Sequence, residues 1–348
     1  MIMDAGSVTE GVIESKGHTT HFRASGPQSG TPIVFVHGWP ELSLSWRHQL
    51  AALGALGFRC IAPDLRGYGE STVYRQHSDY ALEHVVSDML GLAEALGIEK
   101  AIWVGHDWGS PVVWSIASHH PDRCHGVASL CVPYRTLDLG LDPVIDLVNR
   151  ERYPADSYPA GQWEYMRFYE ENFEDATKAF DADAYNTIKL LFRKGDPAGF
   201  GLPAGTSMTR INGGWFGAGG EAPDVPRDGD VVTEEEVAEY AGHLERNGFF
   251  GPDSYYMNHE ANAEYGARAL NAGVLDMPAL FIGAQYDYVC DSITSDLGVP
   301  MRAACRDLTE SVVYSGHWMA QERPRDVNSA LTRWLATNFE HLWLQSTP

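Results

Sequence analysis

The feature that most restricts how this chain can fold is a short apolar segment that leads directly into a glycine-flanked turn. Residues Ala101–Val104 are apolar enough for a buried strand, and the turn Gly105–Gly109 follows without a spacer. A helical apolar pattern begins at Val112 and Val113. Glycine on both sides of a turn is typical where the chain bends sharply and backbone segments approach closely. The pattern therefore predicts a strand, a tight turn and a helix, with Asp107 at the centre of the turn.

An aspartate in this position predicts a particular chemistry. Its carboxylate is ionised at neutral pH and can attack a saturated, strained or activated carbon directly, whereas a serine must first lose its proton to a base. The product of such an attack is an ester of the protein. A histidine that is not needed to activate the nucleophile can then activate water to hydrolyse that ester. Alone, the turn is equally compatible with a surface loop, so its meaning depends on the partner residues elsewhere.

Composition restricts the partners and the compartment. The chain has 348 residues, of which 44% are hydrophobic, and this is enough for one large domain or two smaller ones. A net charge of −22 argues against nucleic acid or an anionic membrane as a partner. The five cysteines are scattered without CxxC spacing, which predicts a reducing compartment and no metal site. Residues 1–11 lack a signal-peptide pattern and no apolar run reaches the length of a membrane span, so we expect a cytoplasmic protein.

The first part of the chain alternates between strand and helix patterns after a β-rich start over residues 8–24. Such alternation is typical of a parallel α/β architecture. The predicted strands are Ile33–Val36, Arg59–Ala62, Ala101–Val104 and Gly126–Cys131, and the predicted helices are Ser45–Leu56 and Tyr80–Leu96. The loop that contains Asp64 and Arg66 is interpreted as structural, with these two side chains paired.

The alternation breaks down between about Pro133 and Gly273, where aromatic-rich helical segments predominate. They are Trp163–Tyr169, Asp175–Phe180, Tyr185–Phe192 and Thr233–Arg246, the last with a capping box. Between them, the glycine- and proline-rich stretch Gly195–Gly229 is too polar for a core, and we expect it to shape the rim of a pocket.

Strand and helix patterns resume at Met277–Gly283, Ser311–Ser315 and Asp326–Leu344. We therefore predict two parts of one α/β core, residues 1–135 and 275–348, that are separated by a mostly helical cap over residues 136–274.

Two later residues complete a candidate catalytic set with Asp107. Enzymes with a nucleophile in such a turn carry the nucleophile, the acid and the histidine in that chain order. Asp287 follows the strand Met277–Gly283, and His317 lies in a loop near the C-terminus. Asp287 would orient the ring of His317 and stabilise its charged form. Asp291 remains the alternative acid.

The loop His37–Pro40 follows the strand Ile33–Val36 and supplies a further element of the site. The backbone N–H groups of Trp39 and Trp108 are the candidate oxyanion hole. Pro40 is a candidate for a cis peptide bond. We interpret His37 as a residue that packs within the loop and not as a catalytic group.

These motifs together resemble those of the epoxide hydrolases in the α/β-hydrolase superfamily, and the resemblance covers essentially the whole chain. It is carried by His37–Pro40, Gly105–Gly109, Ala284–Asp287 and Gly316–Trp318. It implies the α/β-hydrolase fold, with a mostly parallel central sheet flanked by helices and a mostly helical cap inserted.

Members of this family use two cap tyrosines to hold the epoxide oxygen. The stretch Trp163–Tyr169 resembles the segment with the first, which implies Tyr165, and Gly248–Tyr256 resembles the segment with the second, which implies Tyr256. Tyr255 is the neighbouring alternative. A phenol of pKa ~10 is a suitable proton donor to the alkoxide that ring opening leaves.

The resemblance implies hydrolysis of a small-molecule epoxide by water to a 1,2-diol, with no cofactor or metal, in a monomer or homodimer. The alternative enzyme is a haloalkane or haloacid dehalogenase, which uses the same set of a nucleophilic Asp, a His and a second Asp. However, Trp39 replaces the Asn and Trp108 replaces the Arg that such dehalogenases carry at these positions. A non-catalytic ligand-binding protein on the same scaffold is the alternative of another class.

Overall fold

A sheet at the centre of the molecule contains eight strands among residues 8–343, the part of the chain that the computed structural model describes. The strands lie in the order β1-β2-β4-β3-β5-β6-β7-β8. The pairs β1–β2 and β2–β4 are antiparallel, and all later pairs are parallel. The strands are β1 Thr9–Ser15, β2 His18–Ser25, β3 Pro32–Val36, β4 Arg59–Pro63, β5 Ala101–His106, β6 Cys124–Leu130, β7 Leu275–Ala284 and β8 Cys305–Val313.

The helices fall into two groups. Those that alternate with the strands are α1 Arg47–Ala55, α2 Leu82–Ala95, α3 Gly109–His119, α10 Val299–Ala304, α11 Met319–Glu322 and α12 Pro324–Asn338. The others lie in one long segment between β6 and β7, which we call the insert (residues 131–274). They are α4 Asp142–Asp146, α5 Glu164–Asp181, α6 Ala184–Leu191, α7 Glu234–Asn247, α8 Phe250–Ser254 and α9 His259–Gly266.

The predicted fold class is confirmed, because a mostly parallel sheet carries helices and is interrupted by a helical insert. The division at residues 135 and 274 stays a prediction. The strand β5 is buried along its whole length, as its apolar sequence requires. No helix within residues 8–343 is long and apolar enough to span a membrane.

Several predicted helix bounds were wrong. The helix predicted from Ser45 begins with a 3₁₀ turn over Ser43–Trp46, and α1 starts only at Arg47. The two segments predicted at 163–169 and 175–180 are one element, α5, which is interrupted by the non-helical residue Asn172. The C-terminal helix ends at Asn338. Its predicted end, Leu344, lies outside the described residues, as do residues 1–7, on which the absence of a signal peptide was partly judged.

The strand predicted at Ser311–Ser315 also differs, since β8 runs from Cys305 to Val313. It is the last strand in the sheet, and most of its residues are exposed or half-buried. An edge strand of this kind lacks the continuous apolar run that marks a buried parallel strand, so its polar first half was missed.

Two local interpretations have different outcomes. His37 is fully buried in its loop, where Nε2 accepts the Leu65 N–H at 3.0 Å and Nδ1 bonds the Gly38 carbonyl at 2.8 Å, as expected for a packing residue. The predicted pairing of Asp64 with Arg66 was wrong. Asp64 binds His21 at 2.8 Å, and Arg66 makes two bonds to Asp88 at 2.7 and 2.8 Å.

The turn between β5 and α3 depends on close backbone contact. A Cβ atom at Gly109 would lie 2.0 Å from the carbonyl oxygen of Val36 in the neighbouring strand β3, and one at Gly105 would lie 2.4 Å from the carbonyl oxygen of Gly109. Asp107 itself has φ +48°, a left-handed conformation that is rare for a residue with a side chain. Gly109 thus allows β3 and the turn to approach each other, and Gly105 allows the turn itself to close, while Asp107 is held at the tip.

We expect Gly109→Ala to destabilise the fold by about 3 kcal/mol, because the new methyl group meets backbone that cannot rotate away. Urea unfolding measures the change. Gly242→Ala is the matched control, since Gly242 lies within α7 with only the Arg246 guanidinium near its Cβ position, at 3.7 Å. That control should gain about 0.5–1 kcal/mol from helix propensity. Equal stability of Gly109→Ala and the unmodified chain would contradict the close approach.

Candidate active site

The three candidate catalytic residues meet because parallel strands end at the same edge of the sheet. Asp107 follows β5, Asp287 follows β7 and His317 follows β8. The His317 Nε2 atom lies 3.5 Å from Asp107 Oδ2, and its Nδ1 atom lies 2.7 Å from Asp287 Oδ2. The imidazole therefore lies between two carboxylates. That of Asp287 is buried behind the ring, and that of Asp107 faces a cavity.

Asp287, and not Asp291, is the acid beside His317. The second oxygen of Asp287 accepts the backbone N–H groups of Val289 and Cys290 at 3.1 and 3.0 Å, which fixes the orientation of the carboxylate. Asp291 instead binds Arg152 at 2.7 Å. This contact joins the loop after β7 to the insert.

The first loop reaches the carboxylate of Asp107 through its backbone. The N–H of Trp39 donates to Asp107 Oδ1 at 2.7 Å, and the Trp39–Pro40 peptide bond is cis. In the part of the chain that the structure describes, no hydrogen bond joins the Trp108 N–H to this carboxylate. The backbone N–H of Trp39 thus holds Oδ1 of Asp107, whereas Oδ2, the oxygen near His317, is less constrained by backbone hydrogen bonds.

A buried ion pair that the sequence interpretation missed lies behind the site. His106 Nδ1 bonds Glu41 at 2.7 Å, and His106 Nε2 bonds the carbonyl oxygen of His317 at 2.8 Å. Glu41 also accepts the N–H of Gly38 at 2.8 Å. Burial opposes both charges, but their mutual attraction raises the pKa of His106 well above its usual range and lowers that of Glu41 to about 2. The pair joins three loops that carry candidate site residues.

The position of these two residues in the sequence could have identified them. Glu41 directly follows the His37–Pro40 motif, and His106 directly precedes Asp107. A charged residue next to each of two site motifs is a signal of polar contact between them, although the partner of each cannot be read from the sequence.

A cavity of about 160 Å³ lies in front of Asp107, and we call it the active-site cavity. Aromatic side chains predominate in its wall. Its lining residues are Trp39, Asp107, Tyr165, Leu191, Thr206, Trp215, Tyr256, Val289, His317 and Trp318. Both candidate tyrosines are therefore in the same cavity as the candidate nucleophile, and the predicted pocket-shaping stretch 195–229 contributes Thr206 and Trp215.

Tyr165 and Tyr256 are neighbours in this cavity, with ring centroids 5.6 Å apart. Neither phenol has a hydrogen-bond partner among residues 8–343. Burial raises the pKa of both well above its usual value, so both remain protonated and able to donate. Tyr255 is oriented differently, because its hydroxyl donates to the carbonyl oxygen of Arg66 at 3.1 Å.

A second buried acid, which sequence analysis did not single out, joins the insert to the first loop. Asp253 accepts the indole N–H of Trp39 at 2.9 Å, the Tyr169 hydroxyl at 3.2 Å and the Thr177 hydroxyl at 3.0 Å. Tyr169 in turn stacks on Tyr256 with ring centroids 4.6 Å apart. Burial raises the pKa of Asp253 to about 8, although the three donors oppose this shift.

The charge state of His317 depends on its two neighbours. Burial alone lowers the pKa of His317, but the negative charge of Asp287 and hydrogen bonds to Asp107 and Asp287 together raise it well above its usual range. In the free protein the two carboxylates beside the ring therefore favour its protonated form. Any reaction that removes the charge of Asp107 lowers the proton affinity of His317.

The fold is that of the α/β hydrolases, and the family described as "alpha/beta hydrolase fold" matches residues 31–210. The chain is 31% identical to Epoxide hydrolase B of Mycobacterium tuberculosis, over 93% of this chain and 97% of that protein. It is also 31% identical to Bifunctional epoxide hydrolase 2 of the rat, over 96% of this chain. The crystal structure of Epoxide Hydrolase A from Mycobacterium thermoresistibile matches with a TM-score of 0.75 and 29% identity, over 94% of this chain and 98% of that one.

The chain thus belongs to the epoxide hydrolases of the α/β-hydrolase superfamily, as its motifs predicted. It spans 56% of the length of the bifunctional rat relative, and nearly the full length of the mycobacterial ones.

We expect Asp107→Asn to lower the pKa of His317, because the substitution removes one of the two charges that favour the imidazolium. An NMR titration of the His317 ring measures the shift. Asp276→Asn is the matched control, since Asp276 is an exposed residue paired with Arg306 at the surface. An unchanged His317 pKa in Asp107→Asn would contradict the coupling of these two side chains.

Proposed function

We propose that this chain hydrolyses epoxides to vicinal diols through a covalent ester on Asp107. The observation that carries the proposal is the convergence of one carboxylate, one imidazole and two phenols on a single cavity of about 160 Å³. The family relationship supports the reaction, and the distances between these groups support the assignment of a role to each.

In the first step, Oδ2 of Asp107 attacks a ring carbon and the carbon–oxygen bond of the epoxide breaks. The departing oxygen is an alkoxide of high proton affinity, so it needs a donor as it leaves. Tyr165 and Tyr256 are the donors, because both hydroxyls are protonated and free of other hydrogen bonds within the described part of the chain. The N–H of Trp39 holds the other carboxylate oxygen at 2.7 Å and keeps the nucleophile oriented.

In the second step, His317 removes a proton from water, which attacks the carbonyl carbon of the ester. Alkylation has made Asp107 neutral, so the hydrogen bond that helped to hold the proton on His317 is lost. The imidazolium gives this proton to the phenolate that the first step left, which restores the tyrosine donor, and the neutral ring becomes a base. Asp287 stabilises the imidazolium that forms. The N–H groups of Trp39 and Trp108 stabilise the oxyanion, and its collapse releases the diol and restores the Asp107 carboxylate.

The two phenols favour an epoxide over a haloalkane. A halide leaves as a weakly basic anion and needs no proton donor, whereas an alkoxide does. A non-catalytic binding protein would not require a nucleophile, an acid and a base at these distances. The substrate partners in this proposal are a small-molecule epoxide and water, while the monomeric or dimeric state and a cytoplasmic location remain predictions.

We expect His317→Gln to stop after the first step, because it lacks the base for ester hydrolysis. Incubation with styrene oxide should make the intact protein heavier by one whole substrate molecule, and peptide mapping should locate the label on Asp107. Asp107→Ala is the control and should give neither adduct nor diol. An unmodified His317→Gln protein, or a label on another residue, would refute the mechanism.

We expect Tyr165→Phe and Tyr256→Phe each to slow alkylation while retaining some activity, because one phenol remains. The double variant should lose about 10²–10⁴-fold in rate, the usual contribution of a general acid. Single-turnover kinetics measures the step directly. Tyr255→Phe is the matched control, because its hydroxyl bonds Arg66 outside the cavity. An impaired Tyr255→Phe beside a normal Tyr256→Phe would show that the adjacent tyrosine is the donor.

A further inference from the structure

Trp215 separates the active-site cavity from a second cavity of about 380 Å³, which we call the outer cavity. The outer cavity lies between α5 and the loop 213–221, where its lining includes Phe168, Asp175 and Lys178. Within the described residues, Trp215 is the residue that lines both cavities. The small active-site cavity and the larger outer cavity therefore meet at a single residue.

Aromatic contacts hold this ring in place. Trp215 stacks on Trp39 with ring centroids 5.8 Å apart and an interplanar angle of 26°. Its ring also packs edge-on against Tyr165 and at a tilt against Phe180, with centroids 5.3 and 5.4 Å apart. Its indole N–H is buried and has no hydrogen-bond partner within residues 8–343. The position of the ring thus depends on packing and not on a polar anchor.

The backbone that carries Trp215 belongs to neither a helix nor a strand. Gly213 and Gly214 on one side have φ of +74° and +146°, and Gly217 on the other has φ +83°. Such conformations favour glycine, so the sequence is adapted to a loop that brings one large side chain to the cavity. The ring can be made smaller without removing a turn of helix or a strand.

The active-site cavity as bounded by Trp215 suits a limited class of epoxide. Its volume of about 160 Å³ is below the roughly 300–1,000 Å³ of the pockets that bind drug-sized ligands. Among its lining residues, His317 is the only one that can carry a positive charge, and its charge is already matched by two carboxylates. A substrate carboxylate would find no partner there and would be repelled by Asp107.

We propose that Trp215 is the specificity-determining wall of the site and restricts it to small, uncharged aryl epoxides. This inference rests on the proposed function. Without the indole, the active-site and outer cavities join, and an epoxide with a second aryl group gains room. The indole contributes none of the donors or acceptors used in either step. Tyr165 loses one aromatic neighbour when the indole is removed, but Trp163, Tyr169 and Tyr256 still pack against its ring.

The test compares diol formation from styrene oxide, trans-stilbene oxide and phenylglycidate in the unmodified chain and in Trp215→Ala. The first two substrates share a benzylic ring carbon but differ by one phenyl group, and the third adds a carboxylate. We expect the unmodified chain to prefer styrene oxide. In Trp215→Ala the ratio of kcat/KM for stilbene oxide to that for styrene oxide should rise at least about tenfold. Phenylglycidate should remain a poor substrate in both proteins.

Two further variants keep the result interpretable. Phe216→Ala is the matched control, since Phe216 lies on the same loop and packs on Phe180 but does not line the active-site cavity. It should leave the substrate ratio unchanged. Trp215→Phe retains a smaller ring, so its ratio of kcat/KM for the two substrates should exceed that of the unmodified chain. This variant provides the test if Trp215→Ala fails to fold. An unchanged ratio in the Trp215 variants, or an equal rise in Phe216→Ala, would overturn the proposal.

A binding measurement distinguishes failure of this inference from failure of the proposed function. If the unmodified chain forms no diol from any of the three epoxides, the proposed function is wrong. Calorimetric titration with 1-phenylethane-1,2-diol and hydrobenzoin then still tests whether Trp215 restricts ligand size, because binding needs no turnover. Trp215→Ala should shift the preference at least about tenfold toward hydrobenzoin, and an unchanged preference would refute the role of Trp215.

Discussion

The close approach of β3 to the turn after β5 is the constraint on which the rest of the site depends. Gly109 lets the two backbones meet, and the N–H of Trp39 reaches the carboxylate of Asp107 at 2.7 Å. Asp107 adopts a left-handed conformation that its neighbours over-determine. A nucleophile held in this way loses little entropy in reaching the substrate, because it has few other positions to occupy.

The charges around the nucleophile form two layers with different roles. Behind the site, Glu41 and His106 neutralise each other and join the loops after β3, β5 and β8. In front, the charge of His317 is shared between Asp287 and Asp107. The rear pair has no contact with the cavity and can remain ionised throughout, whereas the front set changes charge whenever Asp107 does. The constant charges of Glu41 and His106 thus hold the loops in place, whereas the charge that changes during the reaction lies at Asp107 and His317.

The sequence was sufficient for features that local patterns determine, and insufficient for those that depend on distant partners. Buried strands such as β5 were predicted because an apolar run marks them, and Asp107, Asp287 and His317 meet because each follows a strand of one sheet. The polar first half of β8 was missed because an edge strand carries no such run. Glu41, His106 and Asp253 were missed because their partners lie far away in sequence: Asp253 is separated from Trp39 by 214 positions.

The bond network of Asp253 has a consequence for how this chain can diverge over time. The carboxyl group is shared by the first loop, through Trp39, and by α5 of the insert, through Tyr169 and Thr177. Replacing any one of these residues alone leaves a buried polar group without its partner, and such a group costs about 1–3 kcal/mol. Accepted substitutions at these four positions should therefore be correlated, so that segments remote in sequence are inherited as one unit.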